Sequence, residues 1–289
     1  MKTVIATLVL TSVGCTKPTK VENSGSLEQR VKRLEDLLAQ REESLAFLEK
    51  VYAQQKASVE AEEAREPAAD AVFAVDIRQN VAAGLVEGSS SAPVTIVKAF
   101  DFACPYCQQV NDTLEEVLQE HSGEVRVVYK NFVVHPETAM PAHLASCAAA
   151  KQHKYVQFKN AFWAKGFGPY AESGGRDKAP LGHENILKIA GEIGLDTKKL
   201  DADMKSTECQ ALIAADMTEL EKFNVGATPT LFINGTHVAG ALTKSGFEKI
   251  IEEKLAIAAA SGVAGADYYE KEIIGKGEKK FRSKRDPKP

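Results

Sequence analysis

The chain has 289 residues and a mass of 31.3 kDa, room for one substantial domain with extensions but not for more than two full domains. Its formal net charge of -4 and isoelectric point near 6.0 exclude a global basic field of the kind that gathers phosphate backbones. Nucleic acid is therefore not an expected partner.

Lys2, the apolar run TVIATLVLTSVG and Cys15 come first. The run is shorter than the about 20 apolar residues a bilayer-spanning helix needs, and residues 1–14 read as a signal peptide. SVGC resembles a bacterial lipoprotein signal, in which the cysteine is lipidated and becomes the mature N-terminus. Gly14 fits that pattern; Ser12 departs from it, since leucine is usual there. A secreted chain without lipid and an uncleaved anchor are the alternatives. All three export the chain, and so place Cys104, Cys107, Cys147 and Cys209 where disulfides persist. Lipid on Cys15 accounts for the odd cysteine, and residues 15–25 form a polar linker behind it.

Residues 26–64 read as a helix. Ser26 with Gln29 three positions on has the form of a capping box. Leu27, Val31, Leu34, Leu38, Leu45, Leu48 and Tyr52 recur at alternating steps of four and three, with Arg41 in the one polar slot. A 3.5-residue period held for about four heptads is the pattern of a coiled coil. Glu28, Glu35, Glu42 and Glu49 share one flanking position, and Arg30 is placed to pair with Glu35 of a parallel partner. The expectation is a homo-oligomer, dimer or trimer; a solvated single helix or stalk is the alternative. Pro67 stops the helix, and residues 65–75 form a linker.

From Ala71 the pattern changes to β-branched runs, AVFAV and then VTIVKAF, which leads into CPYC. An amphipathic helix follows, with Val110, Leu114, Val117 and Leu118 on one face, and then the strand-like VRVVYKNF. Strand, helix, strand in this order implies a parallel pair with a crossover. Residues 137–222 carry no strand signal and form a helical block. TPTLFINGTHVAGA reads as a hairpin turning at Asn234 and Gly235. KSGFEKIIEEKLAIAA is a closing helix, which ends a domain spanning residues 76–260. Residues 261–289 are expected to form a basic, disordered tail, for from Lys276 onward they hold seven basic and two acidic residues.

Cys104 falls at the start of the helix that follows VTIVKAF. Unpaired backbone N–H groups and the positive end of the helix dipole there favour a thiolate, which makes Cys104 the attacking sulfur. Cys107, one turn further in on the same face, is placed to resolve the bond. Pro105 suits a first helical turn, because the N–H it lacks has no partner there. A zinc site is disfavoured, since Cys147 and Cys209 supply no second C-x-x-C and no histidine pair has ligand spacing. A purely structural disulfide is disfavoured too, because so small a ring staples almost nothing. His121, His135, His143, His153, His183 and His237 are expected in ordinary surface or capping roles.

APVTIVKAFDFACPYC, the later GATPTLFINGTHVAG and the helical block between them resemble the DsbA-like branch of the thioredoxin superfamily, over residues 71 to 260. The resemblance implies an α/β thioredoxin fold with an inserted helical subdomain. It implies an exported thiol-disulfide oxidoreductase of the periplasm, with no cofactor beyond its redox-active disulfide. Its partners would be exported proteins with cysteines and a membrane redox partner that recycles the active site. Thr228-Pro229 is implied to be a cis peptide beside the cysteines, a trans turn proline being the alternative. Pro105 and Tyr106 are implied to be the active-site dipeptide, and Cys147 and Cys209 a second, structural disulfide, with two separate buried thiols as the alternative, since spacing alone does not show contact. A strand end beside Cys104 can offer backbone groups to an extended substrate. Lys98 departs from the family, standing where relatives often have an acid; with Lys130 it is a candidate modulator of cysteine ionisation. A snorkelling surface lysine is the alternative for each. The coiled coil and Thr228 lean toward isomerase-like relatives and Pro105 toward oxidases. The rival function is a lipoprotein binding module with no essential redox activity.

Overall fold

The computed structural model describes residues 24–288, which form two compact units, one ending at Glu60 and the next beginning at Ala61. The signal segment and Cys15 lie outside the described residues.

In the first unit, Ser26 caps α1 (Leu27–Ala39). Its hydroxyl accepts the Gln29 N–H at 3.3 Å, and Gln29 Oε1 accepts the Ser26 N–H at 3.1 Å. The expected single helix is two, because α2 (Glu42–Glu63) starts only after a break at Gln40 and Arg41. The break coincides with the polar slot of the heptads. There the Arg41 N–H turns back to the Leu38 carbonyl, a tighter i to i−3 closure. Leu27, Val31, Leu34, Leu38, Leu45, Leu48 and Tyr52 are all exposed.

The second unit begins with α3 (Arg78–Ala82) and is built on a mixed sheet of β1 (Val86–Gly88), β2 (Val94–Phe100), β3 (Val125–Asn131), β4 (Thr230–Ile233) and β5 (Thr236–Ala239), in the order β1-β3-β2-β4-β5. β2 and β3 are parallel, joined by the crossover helix α4 (Pro105–Glu120); the other pairings are antiparallel. Between β3 and β4 lie α5 (Pro136–Ala150), α6 (Tyr155–Phe162), a π-helical stretch at Trp163–Phe167, α7 (Gly168–Glu172), α8 (His183–Glu192), α9 (Thr197–Met204) and α10 (Thr207–Glu221). After β5 come α11 (Lys244–Ser261) and α12 (Gly265–Tyr268). This is a thioredoxin-like fold carrying a helical insertion.

Asn234 and Gly235 turn the β4–β5 hairpin with φ of 43° and 81°. Positive φ at both central residues gives the turn the twist of the strands it joins. A Cβ on Gly235 would come within 2.6 Å of Val72 Cγ1, so the turn also needs a residue without a side chain. AVFAV is extended but is not a strand of the sheet: the Phe73 N–H goes to the Gly235 carbonyl and the Ala74 N–H to that of Glu278, each at 2.8 Å. The first strand is instead the short β1.

Alternation along the strands divides the apolar residues between two cores. Ile96, Phe100, Val127 and Tyr129 pack with Val110, Leu114 and Val117 of α4 and with the insertion. Val97, Ala99, Val128 and Phe232 pack on the opposite face with Phe73, Val75 and Phe223, and with Tyr268, Tyr269 and Ile273. The expected disordered tail is thus corrected: residues after α11 supply part of the second core. Phe281 stacks on Phe73 with ring centroids 5.8 Å apart. Arg282 pairs with Asp70 at 2.8 Å, and Lys284 pairs with Glu66. Three of the basic residues that suggested a solvated tail, Arg282, Lys284 and Lys288, find acids on the segment entering the domain, and Tyr268, Tyr269 and Ile273 ahead of them pack on one face of the sheet.

Candidate active site

Cys104 is the N-cap of α4, with extended backbone (φ −94°, ψ 119°), and Pro105 occupies the first helical turn. The Cys104 carbonyl accepts the N–H groups of Cys107 at 3.1 Å and Gln108 at 3.3 Å, which closes the turn and holds the two sulfurs on one side of the helix. Both cysteines are free thiols. Cys104 is 5% exposed and Cys107 is fully buried, while Tyr106 between them is 48% exposed. From across the sheet, the Thr228 carbonyl accepts the Cys104 thiol at 3.3 Å, and the Thr228-Pro229 peptide is cis.

These surroundings drive the two sulfurs apart in acidity. The Cys107 thiol donates toward Cys104, and with the Thr228 side chain and the backbone N–H groups of Cys107 and Tyr106 it brings Cys104 down from an ordinary 9.0 to about 6 against the opposing effect of burial. Cys107 is pushed well above its ordinary value, first by burial and then by its hydrogen bond to Cys104. At neutral pH the arrangement holds a nucleophilic anion at the helix end and a protonated thiol behind it.

The loop that presents Cys104 is pinned by Asp101 and His143, neither of which was expected at the site. Asp101, fully buried, accepts the Ala103 N–H at 2.6 Å on one oxygen, and on the other the N–H groups of Val134 at 2.6 Å and His135 at 2.8 Å. His143 on α5, expected at the surface or at a cap, is fully buried. The Phe102 N–H reaches its Nε2 at 3.3 Å, and its Nδ1 lies 2.7 Å from Asn131 Oδ1. The bond from Phe102 requires Nε2 to accept, so Nδ1 carries the proton and donates to Asn131. Burial pushes His143 down to about 4, in keeping with this neutral form. Asn131 donates in turn to Asp216, which also pairs with Lys130 at 2.8 Å. The only signal for Asp101 was its place three residues before Cys104; His143 in an alanine-rich helix carried none.

Lys98 and Lys130 are both buried, which removes the snorkelling alternative. Lys98 stands on the face of β2 that carries α4, and its Nζ donates to the Cys107 carbonyl at 3.1 Å. Lys130 is aligned with Ala99 on the other face and is held by Asp216 and Asn80, each at 2.8 Å. Of the two, only Lys98 is brought to the cysteines. Cys147 on α5 and Cys209 on α10 are joined by a disulfide with Cα atoms 5.7 Å apart, within the insertion. Among the described residues, no cluster of three or more histidine, cysteine or acidic side chains could hold a metal ion.

The Thioredoxin family model (Thioredoxin_4) matches residues 79–253. Among curated proteins, Na(+)/H(+) antiporter NhaA 1 of Mycolicibacterium gilvum is 27% identical over 160 residues, covering 54% of this chain and 24% of the antiporter. The chain spans about a quarter of such relatives, and among the described residues no helix is long and apolar enough to cross a membrane. Among solved structures, oxidised BdbD of Bacillus subtilis is 19% identical with a TM-score of 0.51, covering 66% of this chain and 99% of BdbD. A linker-deleted variant of Proteus mirabilis ScsC is 18% identical with a TM-score of 0.51, covering 82% of this chain and all of that one. The likeness to both is one of fold.

Proposed function

We propose that this chain, which belongs to the Thioredoxin family, is an exported oxidoreductase of the DsbA-like kind, exchanging disulfides with the cysteines of other proteins through Cys104 and Cys107. The observation that carries this reading is the contrast between the two sulfurs: Cys104 lowered to about 6 at a helix N-terminus, Cys107 buried and raised. In the oxidising direction, a client thiolate attacks Cys104 of the oxidised pair and Cys107 departs with the electron pair. A second client thiolate then displaces Cys104, leaving a client disulfide and a reduced enzyme. In the reducing direction, the Cys104 thiolate opens a client disulfide and Cys107 displaces the client. An extended client segment would lie against Thr228 and Pro229 beside the sulfur, pairing through its backbone. Replacing Cys104 with Ser is expected to abolish turnover of both reduced and scrambled ribonuclease; retention of full cellular activity by that variant would favour the binding-module reading.

The exposed heptad face of α1 and α2 supports self-association as a dimer or trimer, which would hold several active sites around one misfolded client. Its test uses the full chain with Leu34 and Leu48 both replaced by Lys. Loss of the oligomer together with reshuffling of scrambled ribonuclease, with oxidation of reduced ribonuclease retained, supports an isomerase. Equal activity of parent and variant would make the helices a spacer. The location we assign is the periplasm, with the chain anchored by lipid on Cys15. Replacing Cys15 with Ser would then release the protein from the membrane fraction.

A further inference from the structure

Lys98 is six residues before Cys104, and its side chain is fully buried under α4. An isolated buried ammonium is costly, so the groups around it must account for its presence. Its Nζ donates to the Cys107 carbonyl at 3.1 Å and stands over the rings of Phe100 at 5.8 Å and Tyr129 at 5.9 Å. Among the described residues, none of its hydrogen bonds or ion pairs is to a carboxylate. The neighbouring buried lysine differs in this respect. Lys159 of α6 donates to Asn111 Oδ1 at 2.6 Å and has Glu87 at 3.3 Å, while Tyr129 donates to the same Glu87 oxygen at 2.8 Å and Asn111 to Glu115 at 3.0 Å. Lys159 therefore has its counter-charge and Lys98 does not. The charged or ionisable groups acting on Lys98 are Cys107, Cys104 and Asp112 on α4 and Lys159 on α6. Of these, Cys107 is the one whose backbone it holds and whose charge changes during disulfide exchange.

We propose that Lys98 is a positioning residue of the redox step, whose ammonium holds the first turn of α4 and supplies the missing counter-charge to the Cys107 thiolate. This rests on the reading of Cys104 and Cys107 as a redox pair. An acid at this place would take the proton of Cys107; an ammonium has no free lone pair to accept it, and acts instead by making the anion less costly in a buried setting. In the reducing direction Cys107 gives up its proton and its Sγ attacks Cys104 Sγ. The bond between the cysteines forms as that from Cys104 to the client breaks. The client sulfur leaves with the electron pair and takes up a proton, so the client is reduced and the enzyme pair oxidised. In the oxidising direction Cys107 is the leaving group, and the same anion forms beside Lys98. Burial lowers Lys98 and a charge on Cys107 opposes that; with both acting it stands at about 8, so at neutral pH the ammonium form predominates.

The test is the reaction of the reduced full-length chain with glutathione disulfide, quenched in acid and resolved by mass, across a range of pH. It separates attack by Cys104 from release of glutathione by Cys107. Lys98→Met removes charge and hydrogen bond together; Lys98→Gln keeps a donor for the Cys107 carbonyl and removes only the charge; Lys98→Arg keeps the charge. We expect Met and Gln to slow the release step at pH 7 about tenfold or more and to move its pH midpoint up by about one unit, with the attack step changed less than about threefold. Arg should retain the parent midpoint. A release step whose pH midpoint is the same in parent, Met and Gln overturns the proposal, even if the rates fall, because a packing role would do the same. A parent chain whose Cys104 does not react with glutathione disulfide would overturn the redox reading, and this inference with it.

Discussion

The Cys104 thiol donates to the Thr228 carbonyl at 3.3 Å, across a sequence separation of 124 residues. The start of α4 and the loop before β4 thus meet at one sulfur. Each supplies what the other lacks: the helix end favours negative charge, and the loop offers backbone groups beside it.

Cys104 should be alkylated by iodoacetamide in the native reduced protein with a half-maximal rate near pH 6, while Cys107 stays unreacted. The thiolate also stabilises the reduced fold. A group whose pKa is depressed on folding contributes fully above its unfolded value, here 9.0, and loses that contribution as the pH falls through about 6. The stability advantage of the reduced parent over Cys104→Ser is therefore expected to grow from pH 6 to pH 9. Half-maximal alkylation near pH 9 would contradict this.

His143 should make the domain acid-sensitive. Its pKa is lowered on folding from 6.5 to about 4, so the unfolded chain binds the proton first and stability is lost as the pH falls between those values. A shift of this size corresponds to a loss of up to about 3 kcal/mol. Urea unfolding at a series of pH values should show a shallower decline for His143→Gln than for the parent. Identical slopes would mean that His143 is not the group responsible.

Asp216 is expected to be intolerant of replacement. It pairs with buried Lys130, accepts from Asn80 at 2.8 Å, and accepts the Asn131 backbone and side-chain N–H groups at 2.9 and 2.7 Å. Asp216→Ala strands a buried ammonium, a change that costs about 3–5 kcal/mol. Chemical denaturation measures it, and a loss below about 1 kcal/mol would show that the network relaxes around the gap. Replacing Lys130 with Met in the Asp216→Ala background should recover part of the loss.

Ile273 should behave as a core residue although it lies beyond the last long helix. It is buried against the face of the sheet that carries Phe73 and Phe232. Ile273→Ala is expected to cost about 2–4 kcal/mol in urea unfolding. A neutral result would return this segment to the solvated tail that its composition suggests.

What the sequence determined by itself was local. Ser26 and Gln29, Cys104 followed by Pro105, and Asn234 with Gly235 each act through bonds or φ values within about four residues, so the residues that decide the conformation stand beside one another. From β2 onward the order of strands and helices was legible for a related reason: hydrophobic period follows from backbone geometry. Tertiary structure decided the rest. Whether Lys98 faces α4 or solvent depends on which layer covers β2, and alternation does not say. His143 reaches Phe102 across 41 residues and Asp216 reaches Asn131 across 85, separations at which no spacing rule operates. The residues after α11 looked unfolded because their charges dominate composition; in three dimensions Arg282 and Lys284 meet Asp70 and Glu66, and Tyr268, Tyr269 and Ile273 join Phe73 and Phe223 over one face of the sheet.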